Sequence, residues 1–185
     1  YNIFLFKYIK YIYNIMAAYM TNNNSNGTFQ KHDDYMTPKY VWENIKQFIP
    51  QDKVIWECFY GDGKSGENLR ELGFEVVHED IDFFENNKGD IIISNPPFTL
   101  KKEVFTRLIL LDKPFIMVSS QQLLYTQYFR NIMKEKHLQI IIPRKRIQFI
   151  KISNGEYIDT GNRCNFDCLY FCYKMNLKKD ITWLE

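Results

Sequence analysis

Three segments carry residue types and spacings suited to chemistry, and each follows an apolar run. The first is Trp56-Glu57-Cys58-Phe59-Tyr60-Gly61-Asp62-Gly63-Lys64-Ser65-Gly66, a carboxylate followed by a G-x-G-x-x-G pattern. Glycines there let the backbone turn sharply and let a ligand lie close against it. The pattern by itself does not choose the ligand, since nicotinamide-dinucleotide enzymes use the same device. The second is Asp80, directly after Val76-Val77-His78-Glu79. A carboxylate at the end of a strand beside such a turn can accept hydrogen bonds from both hydroxyls of a ribose. The third is Asn95-Pro96-Pro97-Phe98 after Asp90-Ile91-Ile92-Ile93-Ser94. Two prolines without amide hydrogens end the strand, and their restricted dihedrals hold the Asn95 amide and the Pro96 carbonyl in one rigid arrangement.

These segments need elements to position them. Thr37-Pro38 reads as a helix start, with Val41, Trp42, Ile45, Phe48 and Ile49 at helical spacing until Pro50. Lys53 to Glu57 is predicted as a buried strand, Glu67 to Leu72 as a helix closed by Gly73, and Phe74 to His78 as a second strand. After the third strand come a helix over Lys101 to Leu111, a strand over Pro114 to Ser119 and a helix over Leu123 to Lys136. Leu138 to Ile142, Arg146 to Ile150 and Phe166 to Tyr173 supply closing strands, with a tight turn at Asn154-Gly155 between the last two. Alternating strands and helices imply an α/β fold, a doubly wound, mainly parallel sheet with an antiparallel C-terminal strand. Only nine residues separate Asp80 from Asp90, too few for a further helix and strand between them.

The chain has 185 residues, 45% of them hydrophobic, enough for one core. A formal net charge of +2 is too small to hold nucleic acid by bulk charge, so any such contact is local. Cys164, Cys168 and Cys172 suggest a metal site by their spacing. Alternation of Phe166, Cys168, Tyr170 and Cys172 with Asp167, Leu169 and Phe171 reads instead as a strand with cysteines on one face, and no metal is expected. Nothing indicates a disulfide framework, which fits a reducing compartment, and no secretion signal is read. Residues 1–32 read as a leader and linker ahead of a domain over 33–185. Tyr1 to Ile15 holds only Tyr, Asn, Ile, Phe, Leu and Lys, and is expected to be translated upstream sequence with Met16 or Met20 as the natural start. Lys7 and Lys10 interrupt it, against a membrane helix.

Taken in order, these motifs resemble those of the class I S-adenosylmethionine-dependent amino-methyltransferases, with a Rossmann-like fold. Glu57, Phe59, Gly61 and Gly63 resemble the first motif, and Asp80, followed by Ile81 and Asp82, the second. Asn95-Pro96-Pro97-Phe98 resembles the fourth, found in enzymes acting on adenine N6, cytosine N4 or a glutamine amide. Asp33-Asp34-Tyr35-Met36-Thr37-Pro38 resembles the segment that precedes the first strand in gamma-ordered adenine enzymes. The resemblance implies S-adenosyl-L-methionine as cofactor, held by Tyr35, Thr37, Pro38, Glu57, Phe59, Gly61, Gly63, Asp80 and Asn95. The helix-strand unit that such enzymes usually carry between Asp80 and Asp90 is missing or collapsed here, so Asp82 and Phe83 are assigned the adenine contact of that cofactor. It further implies that the Asn95 side-chain oxygen and the Pro96 carbonyl accept hydrogen bonds from the target amine, Pro97 stiffens the turn, and Phe98 stacks on a flipped base.

Lys101, Lys102, Arg144 and Arg146 are candidates for phosphate contacts beside that base. The implied reaction is N6 methylation of adenine in nucleic acid, with DNA favoured over RNA. Sequence specificity is left to a partner protein or an unidentified loop. The chain is expected in the cytoplasm or wherever its nucleic acid resides. Two alternatives stand beside this reading: a protein glutamine N5-methyltransferase, and a catalytically degenerate subunit of the same fold.

Overall fold

The computed structural model describes residues 35–153, 156–159 and 166–185. In chain order these form β1 (Tyr35–Met36), α1 (Lys39–Glu43), β2 (Ile55–Trp56), α2 (Lys64–Glu71), β3 (Val76–Val77), β4 (Ile91–Ser94) and α3 (Lys101–Leu111). There follow β5 (Phe115–Ser120), α4 (Gln127–Met133), β6 (Leu138–Ile142), β7 (Ile150–Ser153), β8 (Glu156–Asp159), β9 (Cys168–Tyr173) and β10 (Ile181–Trp183). The expected turn at Asn154-Gly155, Cys164, and the whole of 1–32 lie outside the described residues.

Among the described residues, seven strands make one sheet in the order β10-β6-β9-β5-β4-β2-β3, and β1, β7 and β8 make a small second one. The large sheet is parallel except for β9, which runs antiparallel to both β5 and β6. This is the expected doubly wound arrangement with an antiparallel strand near its C-terminal end. Alternation decides which side chains face which layer. Ile91, Ile93, Ile116, Val118, Tyr170 and Cys172 pack with Val41, Trp42 and Leu69 from the α1–α2 side. Ile92, Phe115, Met117 and Phe171 pack with Val104, Phe105, Leu108 and Phe129 from the α3–α4 side. Cys168 and Cys172 share one face of β9, and burial pushes the Cys172 thiol up to about 12. Among the described residues no cluster of His, Cys, Asp and Glu is arranged to hold a metal ion, and no helix is long and apolar enough to cross a membrane.

Several expectations need correction. The helix read from Pro38 to Ile49 is the short α1 followed by a separate 3-10 turn at Lys46–Phe48, although its apolar residues Val41, Trp42, Ile45 and Ile49 are all buried. The helix over Leu123 to Lys136 likewise divides into a 3-10 turn at Gln121–Tyr125 and α4. The strand expected at Arg146 to Ile150 does not enter the large sheet. Pro143 has no amide hydrogen with which to extend β6, and the chain becomes a strand only at Ile150, pairing with β1 and β8. Strand β10, which the sequence reading did not anticipate, adds a parallel edge beside β6. Between β3 and β4 there is neither helix nor strand, only a turn around Asp82 to Glu85, so the shortened unit is real. Strand β3 is therefore the sheet edge beside β2.

Candidate functional site

Strand register assembles the site. Trp56 of β2 is level with Val77 of β3 on one side and Ile92 of β4 on the other. Three residues further along each parallel chain stand Phe59, Asp80 and Asn95, so the three motifs meet at the carboxyl edge of the sheet. Carboxyl edges at such crossover points are where open α/β sheets bind ligands. The Gly61 turn continues from β2, with Gly61 at φ 58° and Gly63 at φ 84°, both in the left-handed region that glycine occupies without strain. Gly63 caps α2, and the Asp62 carboxylate accepts a hydrogen bond from the Lys64 amide at 3.1 Å.

Asn95 is held from the opposite side of the sheet edge. Its side-chain nitrogen donates to the Thr37 hydroxyl at 3.1 Å. Its side-chain oxygen is buried without a hydrogen-bond partner among the described residues. An orphaned buried acceptor costs about 1–3 kcal/mol, so one kept beside a fixed donor contact calls for a functional account. Thr37, expected to touch a cofactor, is thus 8% exposed and meets Asn95 through its hydroxyl. Pro38 precedes α1 as its cap residue. The Tyr35 ring lies in an edge-to-face cluster with Phe149 and Phe166, and Phe98 joins it at 4.7 Å from Phe166 and 6.0 Å from Phe149. The Lys101 ammonium stands 5.7 Å from the Phe98 ring centre.

Glu57 does not open toward a ligand. Its side chain is 1% exposed and accepts a short hydrogen bond from the Ser94 hydroxyl. Nδ1 of His78 lies 2.9 Å from the Glu57 carbonyl oxygen and 2.5 Å from its carboxylate. Burial pushes the Glu57 carboxyl above its ordinary range, against the pull of His78 and Ser94. Burial also pulls the His78 imidazole down, but the Glu57 contact more than reverses this and leaves it raised. Both shifts favour keeping a proton within the pair. One carboxylate therefore ties β2 to residues following β3 and ending β4, just ahead of the glycine turn.

Neither Ser94 nor His78 was among the residues expected to matter. The signal for Ser94 was a polar residue closing an apolar run, and no pattern in the sequence marked His78. In the fold a Cβ added at Gly66 would lie 2.3 Å from the imidazole ring. Tyr60 stacks on that ring at 4.8 Å.

Asp80 is exposed at the sheet edge. The Asp82 carboxylate accepts from the Phe84 amide at 2.7 Å, so it shapes the turn that replaces the missing unit. Phe83 is 3% exposed, packed against Trp56, Phe59 and Phe84. The shortened loop folds the Phe83 ring inward, beside the carboxyl edge. Lys102 and Arg144 are exposed, whereas Arg146 is ion-paired with Asp167. These basic residues are not brought into one cluster by any contact described.

The residues at the carboxyl edge fit a nucleoside-bearing cofactor: a glycine turn with an exposed Gly61, an exposed Asp80 carboxylate on the adjacent strand end, and an Asn95 oxygen without a donor among the described residues. Over 126 residues the chain is 27% identical to the type II methyltransferase M.EcoRI of Escherichia coli, covering 67% of this chain and 34% of that protein. The chain thus spans about a third of the length of that relative. Among solved structures, a dimethyladenosine transferase from Plasmodium falciparum superposes with a TM-score of 0.45 at 12% identity, over 75% of this chain and 62% of the other. A precorrin-6y methyltransferase from Geobacter metallireducens does so with a TM-score of 0.41 at 9% identity, over 77% and 95%. No family profile matches the chain.

Proposed function

We propose that this chain transfers a methyl group from S-adenosyl-L-methionine to the exocyclic N6 amine of adenine in nucleic acid, with DNA favoured over RNA. The observation that carries the reading is the state of Asn95. Its amide nitrogen is fixed by Thr37, while its oxygen is a buried acceptor with no donor among the described residues. An amine entering there supplies the missing donor. The similarity to a type II methyltransferase supports the reaction class.

The residues take separate roles. Gly61 and Gly63 give the close backbone approach and Asp80 the paired acceptor for a ribose, so these hold the cofactor. When bound, its sulfonium supplies an electrophilic methyl carbon, whose bond to sulfur breaks as the amine nitrogen bonds to it. Asn95 and the Pro96 carbonyl accept hydrogen bonds from the amine and draw its lone pair out of conjugation with the ring. Catalysis is then positioning and electrostatics, and the amine proton passes to solvent after methyl transfer. Phe98, in its aromatic cluster, gives a face for the base, and Lys101 adds positive charge beside it. Lys102, Arg144 and Arg146 are the phosphate contacts in this proposal, and a partner protein supplies selection of the surrounding sequence.

The test offers labelled S-adenosylmethionine to DNA, RNA and protein in parallel and identifies the methylated atom. Label on adenine N6 is expected. Label on a glutamine amide would replace the proposal with the protein-modifying alternative, and no transfer to any acceptor would favour the degenerate subunit.

A further inference from the structure

The turn that leaves β5 carries the most exposed large aromatic side chain among the described residues, Tyr125 at 81% exposure. Tyr40 and Tyr60 are also exposed, but Tyr40 exchanges hydrogen bonds with Gln148 and Tyr60 stacks on His78. The Tyr125 side chain makes no hydrogen bond or ring contact among the described residues. Its backbone, by contrast, is fixed. The Gln121 amide donates to the Asp167 carbonyl at 2.8 Å, the Ser120 hydroxyl accepts from the Gln122 amide at 3.3 Å, and the Thr126 hydroxyl donates to the Leu123 carbonyl at 2.8 Å. Leu123 is buried and anchors the turn in the α3–α4 layer. A rigid turn thus presents an open ring, and an aromatic side chain with few rotatable bonds loses little freedom on meeting a ligand.

Position decides what that ring can meet. β4 and β5 are parallel neighbours, so the turn after β5 stands at the same carboxyl edge as Asn95 to Phe98 after β4. α3 and α4 both lead away from that edge and pack through Phe105 and Phe129, whose ring centres are 5.2 Å apart. Lys101 precedes Phe105 by four residues and Tyr125 precedes Phe129 by four, so both stand at the edge where the two helices begin. Lys101 in turn lies 5.7 Å from the Phe98 ring centre, and Lys102 beside it is exposed. The rim next to Asn95 therefore combines two ammonium groups with an uncovered aromatic face. That combination suits a polyanion that carries flat rings, the chemistry of a nucleic-acid strand, with phosphates for the lysines and a base for the ring.

Resting on the reading of Asn95 as an amine site for nucleic acid, we propose that Tyr125 is a substrate-binding residue that stacks on a base neighbouring the target base, while Lys102 holds an adjoining phosphate. A target base drawn out toward Asn95 leaves its neighbour with one open face. The Tyr125 ring covers that face and offsets part of the stacking lost.

The test measures binding of the full chain, by fluorescence anisotropy, to two single-stranded DNA probes of about 20 nucleotides, one of mixed sequence and one built wholly of abasic sugars. Tyr125→Ala should weaken binding to the base-bearing strand by about tenfold and to the abasic strand by less than about twofold, and Tyr125→Trp should restore it. The exposed ring can be removed without disturbing the core, which circular dichroism checks. Lys102→Ala should weaken both strands alike, since they share their phosphates. Equal losses on the two strands after Tyr125→Ala would overturn the stacking role. Methyl transfer from labelled S-adenosylmethionine to the base-bearing strand separates this inference from the one it rests on. Adenine labelled by the wild type, with Tyr125→Ala unchanged in affinity, would overturn the role of Tyr125 and leave the reaction standing. Base-dependent binding lost in Tyr125→Ala, in a chain that labels no acceptor, would keep that role and overturn the reaction. A wild-type chain that binds neither strand would overturn both.

Discussion

His78 stands 2.5 Å from the buried carboxylate of Glu57, with Tyr60 stacked on its ring and Gly66 packed close against it. Through this contact the strand end before Asp80 is tied to the strand end before the glycine turn. Two parts of the proposed cofactor site thereby share one support, and neither residue need touch the cofactor to influence it.

Protonation of that support sets the first prediction. Both groups have raised affinity for protons in the folded chain, so the folded state binds more protons than the unfolded one. Stability from the pair is full below the ordinary pKa values and is lost as pH rises. For His78 the loss begins as pH passes 6.5, its ordinary value, and continues toward its raised folded value. Thermal melts from mildly acidic to mildly alkaline pH should show a falling midpoint, and His78→Gln should flatten that slope.

Gly66→Ala should destabilise the fold by about 1–3 kcal/mol, the usual range for overpacking. The added Cβ meets the His78 ring at 2.3 Å, and the ring is hemmed in by Tyr60. Denaturant unfolding of Gly66→Ala, His78→Ala and the double variant forms a cycle. Coupling is expected, with the double variant less destabilised than the sum of the two, because removing the ring removes the clash.

Asn95→Ala should lower turnover by about a thousandfold while leaving S-adenosylmethionine affinity within about threefold, since its oxygen acts on the amine. Isothermal titration beside single-turnover assays separates the two effects. Thr37→Val removes the hydrogen bond that orients Asn95 and should lower turnover by about tenfold.

Asp80→Ala should do the reverse. Its carboxylate is exposed at the sheet edge, and its loss should weaken cofactor binding by about tenfold or more, with turnover at saturating cofactor much less affected. Equal loss of cofactor affinity in Asn95→Ala and Asp80→Ala would contradict the division of roles.

Much of the framework was legible along the chain. The run Ile91 to Ser94 followed by two prolines could only be a strand that stops, because proline cannot extend a ladder. Helix α3 and strands β4, β5 and β6 follow from apolar periodicity, which is a local property. The short passage from Asp80 to Asp90 left no room for a helix and a strand, and the family resemblance made that a missing unit. Less legible were α1 and α4, where apolar spacing persisted although backbone turns interrupted the helix.

The types of the site residues, their order and the rigidity of Asn95 were thus determined by the sequence itself. The tertiary structure alone decided which groups remain free. Glu57, readable as an open carboxylate, is enclosed by Ser94 and His78, and Phe83 is drawn into the core. Thr37 satisfies one end of the Asn95 amide, and the other has no donor among the described residues. Those outcomes depend on strand order and register between distant segments, and periodicity within a segment carries no record of its neighbours.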